Sequence, residues 1–148
     1  SVERDRAMAD NLLWVADKNP SARIFAWAHN AHVSRKVNAM GWHVDQRIGA
    51  QYRIFGFTFG LGFFNAVSVN SGGTTSMSQQ PRLIFDTRKI TSGGTLASSF
   101  RTVRMRSIGS QYSTSQAAMY FDLTLLPADY DALIWFAGTS KSTLLPFQ

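Results

Sequence analysis

A chain of 148 residues with 45% hydrophobic and 13% aromatic side chains, against 16% charged ones, has enough apolar material for one packed domain, which excludes a disordered tail. It contains no cysteine, so disulfides and thiolate metal sites are excluded as well. The formal charge of +6 is concentrated: six bases between Arg82 and Arg106 stand against the single acid Asp86, while the other nine bases and eight acids nearly balance.

That basic segment suits phosphates, an acidic partner surface or an acidic half of the same protein. No groove-reading or base-stacking motif accompanies it, so nucleic acid is not the favoured partner. No apolar run approaches the roughly 20 residues that span a bilayer. The start, SVERDRAMADNLLWV, has no signal-peptide pattern, and no membrane partner is expected. Ser1 is not an initiator methionine and the first residues already read as helix, which leads to the expectation of a piece of a longer polypeptide.

In chain order, Met8, Leu12, Val15 and Ala16 recur at helical spacing within residues 3–18, and Asn19-Pro20 closes that pattern. ARIFAWA, residues 22–28, is short and apolar and predicts a strand covered on both faces. A helix followed closely by such a strand points to an α/β sheet. Met40, Val44 and Ile48 recur every four residues, and Gly49 supplies a stop, predicting a helix over 38–48. YRIFGFTF (52–59), RLIFD (82–86) and YDALIWFAG (130–138) read as strands, GLGFFNAVSV contains a further apolar run, and 70–81 and 91–99 read as loops. No repeat or linker divides the chain, so residues 1–148 are expected to form a single α/β unit with a central, largely parallel or mixed β-sheet flanked by helices.

Two of the three histidines, His29 and His32, follow directly on the apolar run 22–28. If that run is an interior strand, His29 lies at its carboxyl end, where open α/β sheets place ligands. A neutral imidazole is well poised to accept a proton near neutral pH, and a second one can donate to an oxygen gaining charge. Three other readings stay open for the pair. Each ring can bond a backbone carbonyl in a purely structural role. His-x-x-His can also offer two nitrogens to a metal, for which only His43 and Asp45 are nearby third ligands. The chain can also be a binding module with an anion-contacting basic segment.

Neither a G-x-S-x-G elbow nor a phosphate loop occurs, and Gly60-Leu61-Gly62 is not followed by the third glycine of a dinucleotide fingerprint, so no cofactor is indicated. Those glycines serve a turn or a close backbone approach.

Taken together and in order, RDRAMADNLLWV, ARIFAWAHNAHVSR, MGWHV, YRIFGFTFGLGFFNA, LIFDTR, MRSIGSQY and YDALIWF resemble the carboxyl-terminal part of the erythromycin esterase family, with WAHNAH the most specific element. The resemblance implies a hydrolase without a serine nucleophile, in which histidine activates water to open a macrolide lactone. By motif position His29 and His32 match the family's catalytic histidine pair, His29 being the first choice for a direct role and His32 orienting water or substrate. Asn30 and Arg35 are neighbours placed to hydrogen-bond the site. The resemblance further implies a small-molecule ester or lactone as substrate. Family members carry a G-E-x-x-H-G motif in an amino-terminal half, and this sequence has only one glutamate, Glu3. The expectation is an incomplete catalytic set, completed by an amino-terminal half of the same protein. Trp27, Phe57, Phe59 and Phe64 are candidates for an apolar pocket wall, with plain core as the other reading.

Overall fold

In the computed structural model, residues 2–62, 67–70, 82–90, 101–109 and 111–140 are described. The first helix, α1 (Val2–Lys18), carries Glu3 and Asp5 in its first turn and Lys18 in its last, each on the side the helix dipole favours. Asp5, Ala9 and Leu13 fall four residues apart and form its buried stripe. Its end is closed by Asn19, whose backbone N–H donates to Ala16 O and whose amide donates to Val15 O at 2.8 Å, before Pro20 stops propagation.

A one-turn helix α2 (Asn30–Val33) and then α3 (Met40–Ile48) follow. The connection turns at Asn38, whose φ of 68° is a left-handed value that asparagine tolerates. Gly49 ends α3 with a φ of 46°, the conformation glycine adopts without strain. Ala9 and Leu13 of α1 pack on Met40 and Val44 of α3 to make one apolar cluster.

The strands are β1 (Phe55–Gly62), β2 (Val67–Asn70), β3 (Arg82–Asp86), β4 (Thr102–Arg106), β5 (Gln111–Ser113), β6 (Phe121–Leu125) and β7 (Ala132–Thr139), with a short α4 (Leu126–Asp129) before β7. A mixed three-stranded sheet runs in the order β1-β7-β3: β1 is parallel to β7, with Phe57 opposite Ile134, and β3 is antiparallel to it, with Ile84 opposite the same residue. Two further ladders pair β2 with β5 in parallel and β4 with β6 antiparallel. The chain is thus an α/β protein with a mixed sheet.

A second core gathers Ile54, Ile90, Met105, Leu126 and Tyr130. Val33 and Tyr52 pack against both cores and connect them. The Tyr52 hydroxyl donates to Val33 O at 2.9 Å, and burial pushes that phenol up to about 12. Gly60 lies inside β1, where an added Cβ would meet Ala137 O at 3.0 Å, so a close backbone approach, not a turn, explains it.

One expectation is corrected. Residues 22–28 form no strand and pair in no ladder among the described residues, with Phe25 79% and Trp27 73% exposed. An apolar run becomes a strand only when a neighbouring ladder takes up its N–H and C=O groups, and the outer edge of β1 receives the Asn30 side chain here instead. Of the expected loop 70–81, Asn70 ends β2 and the rest lies outside the described residues, as do the loop 91–99 and Phe64.

Candidate active site

His29 caps α2. Its Nδ1 accepts from the Ala31 N–H at 3.2 Å, and its Nε2 lies 3.0 Å from Ile108 O. A carbonyl can only accept, so the two contacts agree on one tautomer, with the proton on Nε2. The opposite tautomer follows for His32. Its Nδ1 lies 2.9 Å from Asp5 Oδ2 and its Nε2 lies 3.2 Å from Arg4 Nη2. A guanidinium has no lone pair to offer and a carboxylate no proton, so Nδ1 carries the hydrogen and Nε2 the lone pair. The two rings sit 6.5 Å apart, edge to face at 73°.

Asp5 is only 7% exposed, and the same Oδ2 also accepts the Met40 N–H at 3.0 Å. Burial alone would raise its pKa. The hydrogen bonds from His32 and Met40, with the charges of His32 and Arg4, outweigh that and hold the carboxyl below its ordinary value of 3.8. The sequence reading passed over Asp5. Its signal was an acid four residues before Ala9 and eight before Leu13, on the stripe that the apolar spacing marks as buried.

The two polar neighbours hold the backbone and touch neither imidazole. Asn30 clips β1 by donating from its amide to Phe57 O and accepting the Phe57 N–H at 3.0 Å. That places α2 beside the first half of β1, not beyond the carboxyl ends of the strands as a strand at 22–28 would require. Arg35 points to Asp45 at 2.7 Å and Asp131 at 2.8 Å, and it also donates to Tyr52 O. The two carboxylates hold the guanidinium above its ordinary pKa against the opposing effect of burial. Asp131 uses the same Oδ2 to accept the Ile54 N–H at 2.8 Å, so this network ties the segment after α2 to the start of β1.

The third metal ligands considered from sequence do not converge on the pair. His43 packs edge-on against Trp42 at 4.9 Å, and Asp45 is engaged by Arg35. Among the described residues, no three histidines or acids are grouped to hold a metal ion. In the basic segment, Arg88 pairs with Asp86 at 2.8 Å, and Arg106 lies over the Phe59 and Phe121 rings. A groove of about 750 Å³ runs between α1, the segment 22–28 and β1, lined by Leu12, Trp27, Val44, Ile48 and Phe57 among others. Trp27 and Phe57 approach each other there at 5.0 Å, and the lining passes from Ala28 to Val33 without including either histidine.

Residues 1–139 match the family described as erythromycin esterase. The chain belongs to the erythromycin esterase family. Its fold is similar to the crystal structure of a protein from Bacillus cereus, with a TM-score of 0.74 at 18% identity over 92% of this chain and 38% of that one. It is also similar to a crystal structure titled as a succinoglycan biosynthesis protein, with a TM-score of 0.69 at 19% identity over 89% and 37%. The chain therefore spans less than two fifths of the length of either solved structure. No curated protein matches the sequence. Membership in the erythromycin esterase family places the chain in a hydrolase-like family. No helix among the described residues is long and apolar enough to cross a membrane.

Proposed function

We propose that this chain is the portion of an erythromycin esterase-like hydrolase that carries a histidine pair for water attack on a lactone or carboxylic ester, a macrolide ring being the first substrate to assay. The observation that carries the reading is the opposed tautomers of two rings 6.5 Å apart. His29 carries its proton at Nε2, held in the resting arrangement by Ile108 O and given to the substrate oxygen once that contact is exchanged, and His32 has a lone pair to receive a proton at the same atom. Ester hydrolysis needs that combination, a base for water and a donor for the developing oxyanion. A positioned base contributes about 10²–10⁴-fold, and a well-aimed donor about 3 kcal/mol. On this reading His32 is the base and His29 the donor, which reverses the order expected from sequence.

The catalytic set is incomplete in the chain itself, and the amino-terminal half of the same protein supplies the remaining histidine and acids. The exposed aromatic side chains of Phe25 and Trp27 support this, since a contiguous apolar patch marks a surface that another element covers. The test is macrolide and simple-ester hydrolysis by the full-length polypeptide containing this chain, with His29→Ala and His32→Ala made in that polypeptide. Both variants should lose at least about a hundredfold in turnover. Full turnover in both would remove the pair from the chemistry, and loss of native turnover on chelation would redirect the reading to a metal-dependent hydrolase.

A further inference from the structure

We propose that Asp5 is a positioning residue that fixes the tautomer and orientation of His32, so that Nε2 is the atom that receives the proton. The inference rests on the hydrolase reading for its consequence but on geometry for its content. Twenty-seven residues separate the two side chains, yet the carboxylate meets Nδ1 at 2.9 Å from a site where Asp5 is 7% exposed. A free imidazole side chain populates both tautomers. A buried acceptor facing Nδ1 selects the one with its hydrogen there, and Nε2 is left as the basic nitrogen.

The proton inventory closes on these groups. Water gives one proton to His32 Nε2 while its oxygen forms the bond to the carbonyl carbon. The ring is then an imidazolium that keeps its Nδ1–H directed at Asp5, whose negative charge stabilises it. When the ester C–O bond breaks, the leaving alkoxide takes the proton back from Nε2. Arg4 lies on Nε2 in the resting arrangement, and its side chain is 62% exposed, so it can move aside into solvent when water binds.

A purely structural role for Asp5 is the competing account, because Ala39 gives α3 no side-chain cap and Asp5 accepts the Met40 N–H in its place. The same Oδ2 takes both hydrogen bonds, and that separates the two accounts. Asp5→Asn retains one oxygen in that position and so keeps both the capping contact and the acceptor for Nδ1–H, but it removes the charge that stabilises the imidazolium.

The ring ¹⁵N signals of His32 in this chain should report hydrogen on Nδ1 and a bare Nε2. Asp5→Ala should yield a mixture of tautomers. In the full-length polypeptide, Asp5→Asn should lose only the modest stability its charge supplies and keep its KM, while kcat falls by about tenfold or more at a temperature where the variant is fully folded. A native His32 with its hydrogen on Nε2 overturns the proposal, as does an Asp5→Asn variant that turns over at the native rate. If the histidine variants themselves leave turnover untouched, the hydrolase reading fails, while the ¹⁵N result still decides whether Asp5 sets the tautomer.

Discussion

Gly41 in the first turn of α3 is where the helix meets the backbone that carries His32, and Gly41→Ala should be costly although alanine is the better helix former. A Cβ built at this position would lie 2.0 Å from Val33 O, 2.5 Å from Val33 C and 2.6 Å from Ser34 O. All three are main-chain atoms, so no rotamer change relieves the overlap, and α3 must retreat by roughly 1.5 Å to reach ordinary contact distance. Overpacking costs about 1–3 kcal/mol, and a backbone-to-backbone clash belongs at the top of that range. The propensity gain of alanine over glycine returns at most about 1 kcal/mol. The net loss of about 2 kcal/mol should lower Tm by about 8 °C, at about 4 °C per kcal/mol for a chain of this size. Thermal unfolding followed by circular dichroism measures it. Gly49→Ala is the comparison: nothing lies within 4 Å of its Cβ, so any loss there comes from backbone strain at φ 46° and ψ −119° alone, about 1–3 kcal/mol. A Gly41→Ala protein as stable as the native one would refute the argument that this close approach fixes α2 against α3.

Three other outcomes are expected. Arg35→Met strands Asp45 and Asp131, both still partly solvated, and should lower the stability measured by urea unfolding by about 2 kcal/mol, less than the 3–5 kcal/mol of a fully buried pair; Asp131→Asn in the same background should recover part of it. Asn30→Ala removes both partners of the Phe57 main chain, which at about 1 kcal/mol for each hydrogen bond predicts a loss of about 2 kcal/mol and faster hydrogen exchange at the Phe57 amide. Asp5 is held below 3.8 in the folded chain, so its ionisation stabilises the fold at any pH above that value, and the contribution disappears as pH falls through the lower folded value. The stability difference between the native chain and Asp5→Asn should therefore be constant near neutrality and shrink below about pH 4, as urea unfolding at a series of acid pH values would measure.

Local pattern carried the two long helices and the three strands of the mixed sheet. The apolar spacing over 3–18 and 38–48 produced α1 and α3 because each helix buries one stripe against the other, and Gly49 marks the end of α3. RLIFD and YDALIWFAG became β3 and β7 because both lie in the same ladder. The reading of 52–59 began too early: Tyr52 and Ile54 are apolar but turn into the core and bond Val33 and Asp131, so β1 starts at Phe55. The run 22–28 misled for a related reason, since composition reports burial tendency and says nothing of which edge offers hydrogen bonds. In TVRMR the buried Met105 and half-buried Val103 alternate with exposed Arg104, a period-2 signal within a segment too short and charged to stand out. The histidine pair was legible because its members are three residues apart, whereas Asp5 reaches His32 only through the packing of α1 on α3.

Because Val33 and Tyr52 belong to both apolar clusters, the histidine-bearing turn acts as a hinge pin between the helical pair and the sheet. Loosening either body withdraws one of the pin's two supports, so the turn can be no more rigid than the weaker of them. Slow amide exchange at Val33 would thus serve as a gauge of whichever body opens first, and a partner polypeptide that clamps either one would tighten the chemistry-bearing turn without touching it.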